Sequence, residues 1–259
     1  MRPPLHSMTS DAADGRLVVL VHGMEDEWRS WRSLVRLLDP SWRVYAAEMP
    51  WKAGSDHGWR RRARAGEWLR AALAGLDDEP DLLIGHSLGA NAVLEALAAE
   101  PRPERATAVL VTPFYCPPGQ PITWPVFERA RRDFEQIIKD GLELRLGPRL
   151  ERLEPDIARS MLAKMMDKIG PVGFTTLFEQ FLATAELDLA AVTAPTLIIA
   201  GGRDPALSGT RAASLGCRLP RGRVVVEPAF GHFCHVNQVE SVAERVRSFV
   251  PPLTIEEIQ

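Results

Sequence analysis

Six short apolar runs recur along the chain: Leu17 to Val21, Val44 to Ala47, Leu82 to Ile84, Ala106 to Val111, Thr196 to Ala200 and Val224 to Val226. Most are continuously apolar rather than alternating, the pattern of strands covered on both faces in a parallel sheet. Helical spacing takes over between them. Val93, Leu94, Leu97 and Ala98 share one helical face, and Val236, Val239, Val242, Val246 and Phe249 share another. Strands alternating with helices predict an α/β architecture, a doubly wound, mostly parallel sheet of about six strands.

One interval breaks the alternation. Between Val111 and Pro195 no strand is predicted, and three amphipathic helices take its place. The first carries Phe127, Ala130, Phe134, Ile137 and Ile138, the second Ile157, Met161, Met165 and Ile169, the third Phe174, Leu177, Phe178 and Phe181. Gly147-Pro148, Pro155 and Gly170-Pro171 divide them. The division that follows is a flexible tail over residues 1–15, a core over 16–116 and 190–251, and a helical cap insertion over 117–189.

Composition narrows the function classes. The 259 residues are 46% apolar and 25% charged, which suits a globular core rather than a disordered chain. A formal net charge of −3 gives no global attraction to nucleic acid or anionic membrane. No apolar stretch approaches the roughly 20 residues of a spanning helix, and the polar N-terminus lacks a signal-peptide core. The cytoplasm is therefore the expected compartment. Cys116, Cys217 and Cys234 have neither metal-site spacing nor an even-numbered framework, so reduced thiols are expected.

Gly85-His86-Ser87-Leu88-Gly89 matches G-x-S-x-G. It follows the strand ending at Ile84 and precedes the Val93/Leu94/Leu97 helix, the strand–turn–helix setting in which a sharp turn exposes a serine above a sheet. Glycines two residues to either side remove side chains that would clash. The next helix directs its N-terminal N–H groups at the site, favouring developing negative charge.

With three further pieces in order, the chain resembles the α/β-hydrolase family from Leu17 to Val250. Leu20-Val21-His22-Gly23-Met24 resembles the His-Gly loop that supplies one oxyanion-hole N–H, here that of Met24; Leu88 would supply the other. Pro195 to Asp204 is a strand ending in Gly-x-x-Asp, where the family places its acid. Gly231-His232 precedes the final helix, where it places its base. The resemblance thus implies Ser87 as nucleophile, Asp204 as acid and His232 as base, in the order known for this fold. His235 is a rival base. The stretch from Thr112 to Tyr115 offers no carboxylate at the family's other acid position. His86 is read as a packing residue, His22 as organising its own loop, and His57 as a surface residue. Only about 16 residues precede the His-Gly strand, so the sheet is expected to be shortened by about two strands at that edge.

These readings imply a serine hydrolase acting on a carboxylic ester or thioester of a small to medium apolar acyl group. His22, Phe114, Trp124, Met161, Met165 and Phe178 are the candidate pocket residues. No metal or organic cofactor is expected. A small-molecule acyl compound is the expected substrate. Trp59-Arg60-Arg61-Arg62-Ala63-Arg64 raises the alternative of an acyl carrier protein or phosphopantetheine thioester, against a plain solvated face. Neither nucleic acid nor membrane is expected as a partner. The alternatives are acyl transfer or cyclisation and carbon–carbon bond hydrolysis by the same triad, with a non-catalytic ligand-binding receptor behind them.

Overall fold

The computed structural model describes residues 2–10, 15–99 and 106–250. Residues 1 and 11–14 of the expected tail, and residues 100–105 and 251 of the expected core, lie outside the described residues. Among the described residues seven strands form one sheet: β1 (Leu5–Ser7), β2 (Leu17–Val21), β3 (Arg43–Ala47), β4 (Leu82–His86), β5 (Thr107–Val111), β6 (Thr196–Gly201) and β7 (Gly222–Glu227). Their order is β1-β3-β2-β4-β5-β6-β7, and every pairing is parallel except β1 with β3. The sheet is the mostly parallel one expected, with one strand beyond the six apolar runs. Leu5–Ser7, expected in a flexible tail, pairs antiparallel with Tyr45–Ala47. Three residues carry too little pattern to read as a strand.

Among the described residues eight α-helices accompany the sheet: α1 (Arg32–Val35), α2 (Ala65–Leu73), α3 (Leu88–Ala99), α4 (Trp124–Leu146), α5 (Pro155–Ala183), α6 (Gly209–Arg218), α7 (Cys234–Asn237) and α8 (Val239–Phe249). Strand side chains alternate between two cores, as the two-residue period requires. Val19, Val21, Leu83, Leu110 and Ile198 pack with α2, α3 and α6. Val18, Leu20, Ile84, Val109 and Ile199 pack with α1 and α8 on the opposite face. Both faces being covered explains why β2, β4, β5 and β6 are buried along their whole length.

α4 and α5 form the insertion between β5 and β6. The Gly170-Pro171 break is a kink inside α5: Gly170 has φ 62° and ψ −178°, outside the helical region, and Pro171 follows it. The second and third expected helices are thus the two arms of α5. Phe134, Ile169 and Phe174 form a small apolar core of their own, joined by Phe127, Ile138 and Phe178.

Candidate active site

The turn between β4 and α3 holds Ser87 at φ 53°, in the left-handed region that a side chain rarely occupies. Its two flanking glycines are fixed by close backbone approach. A Cβ on Gly85 would lie 2.5 Å from the Gly89 carbonyl oxygen, and one on Gly89 would lie 2.2 Å from that of Val21. The Ser87 N–H donates to the Val111 carbonyl at 3.0 Å, and Asn91 N–H donates to the Ser87 carbonyl at 3.1 Å. The turn is therefore tied to β5 ahead of it and to α3 behind it.

Three side chains from distant parts of the sequence meet there. The Ser87 hydroxyl lies 3.0 Å from His232 Nε2, and His232 Nδ1 lies 3.0 Å from Asp204 Oδ1. A carboxylate only accepts, so His232 Nδ1 carries the proton and Nε2 is free to accept from Ser87. Asp204 Oδ1 also accepts from the Ala206 N–H at 2.9 Å. The Asp204 and His232 loops are pressed together through glycine: a Cβ on Gly201 would meet the Phe230 carbonyl oxygen at 2.3 Å. Ser87, Asp204 and His232 are all buried.

His232 is positioned by groups that sequence reading left in the background. The His232 carbonyl accepts from the Thr112 hydroxyl at 3.0 Å and from His86 Nε2 at 2.9 Å. Thr112 itself has φ 47°. Asn91 exchanges two hydrogen bonds with the Phe114 backbone, at 2.8 and 3.1 Å, and Phe114 stacks on His232 with ring centroids 6.1 Å apart. Only proximity in the fold reveals these roles; Asn91 and Thr112 belong to no motif.

The remaining histidines separate clearly. His22 Nδ1 donates to the Gly23 carbonyl at 2.7 Å, and its Nε2 accepts from Met49 N–H at 3.0 Å, so it organises its own loop. Burial holds its imidazole down to about 4. His235, the rival base, is not hydrogen-bonded to Ser87; its ring packs against His86, tilted by 33° with centroids 3.9 Å apart. His57, expected at the surface, is buried, because Gly173 lets α5 settle on it: a Cβ there would lie 3.0 Å from His57 Nε2.

Above Ser87 lies a cavity of about 880 Å³ between the sheet and the insertion. Ser87 and His232 sit in its wall, with Met24, Phe114, Met165, Phe174 and Phe178 around them. Three expected pocket residues do not line it. His22 is fully buried behind its loop, Met161 lies one turn before Met165 on α5, and Trp124 is 78% exposed at the start of α4, in edge contact with Phe127. The cavity also has a polar flank, with Arg129, Asp133 and Arg211. Burial raises the Asp133 carboxyl, and the Arg211 guanidinium sits 5.2 Å above the Phe181 ring. The basic stretch is a partly engaged surface: Arg60 pairs with Glu179 of α5 at 2.8 Å, while Arg61, Arg62 and Arg64 are exposed.

Among the described residues, no helix is long and apolar enough to cross a membrane. The chain is 25% identical over 250 residues to the pimeloyl-[acyl-carrier protein] methyl ester esterase of Neisseria meningitidis serogroup B, covering 90% of this chain and 92% of that protein. Its fold is similar to that of a hydrolase from Pseudomonas aeruginosa PA01, with TM-score 0.63, 21% identity, and 96% and 94% of the two chains covered. It is equally similar to the thioesterase domain from the curacin biosynthetic pathway, with TM-score 0.63, 16% identity and 94% of each chain covered. A family model described as the alpha/beta hydrolase family matches residues 18–245, and the chain therefore belongs to that family.

Proposed function

We propose that this enzyme is a serine hydrolase that cleaves a carboxylic ester or thioester of a medium-sized, largely apolar acyl group. The observation that carries the reading is the hydrogen-bonded row Ser87–His232–Asp204 opening into an aromatic-lined cavity. His232 takes the Ser87 proton as the oxygen attacks the acyl carbon, and Asp204 holds the imidazole in the productive tautomer and stabilises its charged form. The developing oxyanion is received by the Met24 and Leu88 N–H groups, the latter at the start of α3. Collapse expels the alcohol or thiol, protonated by His232, and leaves an acyl-Ser87. Water, deprotonated by His232, then releases the acid. Residues 117–189 act as the cap that selects the acyl group.

The test uses a fluorophosphonate probe together with activated esters of graded chain length. Labelling and turnover are expected in the native enzyme and absent in Ser87→Ala. Turnover by purified Ser87→Ala at the native rate would remove the proposal.

A second reading places the acyl group on a carrier. It is favoured by the exposed Arg61, Arg62 and Arg64 beside α2, and by a relative whose name specifies an acyl-carrier substrate. Reversing Arg61 and Arg62 to glutamate should raise KM for a carrier-bound acyl thioester and leave a free p-nitrophenyl ester unaffected. Equal kinetics on the carrier substrate would remove this second reading.

A further inference from the structure

A second cluster of ligating side chains borders the cavity beside the Ser87 row. Asp26, His86 and His235 each present one ligating atom, and these atoms lie within 4.8 Å of one another. All three residues line the same cavity as Ser87 and His232. Asp26 comes from the loop after β2, His86 from the end of β4, and His235 from α7, so the fold rather than local sequence assembles them.

Each group is prepared to give a lone pair. His86 Nε2 faces the His232 carbonyl at 2.9 Å, and a carbonyl only accepts, so Nε2 carries the proton and Nδ1 is bare. That Nδ1 is buried and has no hydrogen-bond partner among the described residues. His235 is fully buried, and both its ring nitrogens are unpartnered in the same sense, with Nε2 3.9 Å from Asp26 Oδ2. Buried polar atoms without partners are uncommon and ask for a ligand. Asp26 is already oriented: Oδ1 accepts from the Glu27 N–H at 2.8 Å, and Oδ2 from the Ser30 hydroxyl at 2.9 Å. The His86 N–H bonded to a backbone carbonyl is the outer bond that commonly fixes a metal-ligating histidine.

We propose that Asp26, His86 and His235 bind a divalent first-row transition-metal ion, with the remaining coordination position open to the cavity. Two imidazoles and one carboxylate suit zinc and its neighbours rather than magnesium or calcium, which take oxygen ligands. A tetrahedral ion with bonds of about 2.0 to 2.1 Å holds its ligand atoms about 3.3 Å apart. The present spacing must therefore contract, within the reach of side-chain rotation at Asp26 and His235. Three protein ligands leave a position for water or a substrate oxygen.

The experiment is calorimetric titration of Zn²⁺ into chelator-stripped full-length protein in a Cys217→Ser background, which removes the exposed thiol. A parallel Co²⁺ titration is read by visible absorption. One equivalent per chain is expected, with a cobalt spectrum of low-symmetry nitrogen and oxygen ligation. Asp26→Asn and His235→Gln should each weaken binding by about tenfold or more. Asp26→Asn is nearly isosteric and partly exposed, so it tests the site even where loss of buried His235 prevents folding. Ser87→Ala and His232→Ala should retain full binding, which makes the result independent of the hydrolase reading. Absence of stoichiometric binding, or undiminished binding in folded Asp26→Asn and His235→Gln, would leave bridging water as the partner of these atoms and overturn the proposal. Loss of binding in His232→Ala would place the ion on the Ser87 row and overturn it equally.

Discussion

The cavity above Ser87 makes a quantitative statement about chain length. At about 880 Å³ it lies near the upper end of the range that encloses a drug-sized ligand, and its wall includes Phe114, Phe134, Phe174, Phe178 and Phe181. Each methylene moved from water into such a wall is worth at most about 0.8 kcal/mol, a factor of about four in kcat/KM. Lengthening an acyl chain from butyryl to octanoyl adds four methylenes, so the gain should approach but not exceed about 200-fold, then level off when the cavity is filled. The perturbation is Ala130→Phe, which adds a ring to the α4 side of the wall, where Ala130 borders Phe127 and Phe134. It costs the helix only about 0.5 kcal/mol of propensity. The assay is kcat/KM for p-nitrophenyl esters from acetate to dodecanoate in both proteins. Ala130→Phe should leave acetate within about twofold and move the optimum to shorter chains, because the ring occupies space that only the longer chains use. A flat native profile, or an optimum that does not shorten in the variant, would refute the assignment of this cavity to the acyl chain.

Asp204→Asn should lower kcat by about 10³- to 10⁴-fold with little change in the circular dichroism spectrum, because an amide can favour the wrong His232 tautomer; a loss below tenfold would contradict the role given to the pair. Gly89→Ala should yield insoluble or unfolded protein, since its methyl would lie 2.2 Å from the Val21 carbonyl oxygen; a soluble variant with native urea midpoint would show that the turn can yield. Acidification should destabilise the fold through His22 and His235, whose imidazoles burial holds at about 4 against an ordinary 6.5. The unfolded chain then binds protons that the native state refuses, so stability is full above pH 6.5 and falls as the pH drops toward 4. At pH 5 the loss is about 2 kcal/mol for each of the two histidines. Glu95, whose carboxyl burial raises, acts with the opposite sign above 4.5. Urea midpoints at pH 7 and pH 5 check the sum, and equal midpoints would refute it.

The core and the Ser87 turn were legible because each is written locally, and the family resemblance added Asp204 and His232. A parallel strand buried on both faces must be apolar throughout, and β2, β4, β5 and β6 are. The serine turn needs two glycines within five residues, and the Asp204 loop needs Gly201 against the His232 loop; both leave a visible mark. What escaped depends on contacts made at long range. β1 is three residues whose pattern exists only opposite Tyr45–Ala47. Trp124 continues the apolar face of α4, but it stands at the helix end, past the rim of the cavity. His57 has no neighbour in sequence to bury it; Gly173, more than a hundred residues later, does so.

The same distinction explains why the groups around His232 carry no motif. His86 and Thr112 act through one backbone carbonyl, so their function depends on a single donor at the right place rather than on a spacing. A serine, cysteine or water-bridged side chain could serve there in a different fold, and nothing in the linear pattern marks a donor whose acceptor is a main-chain atom. His86 nevertheless cannot be exchanged freely. Its Nε2 bonds the His232 carbonyl while the same ring belongs to the cluster with Asp26 and His235, so one ring joins the Ser87 row to the cluster that borders the cavity. His86→Ala would release both restraints at once, whereas Thr112→Val removes only the donor to His232. Comparing the two separates the contribution of base positioning from that of the neighbouring cluster. Loss of kcat common to both belongs to the His232 carbonyl, and loss confined to His86→Ala belongs to the imidazole face that meets His235.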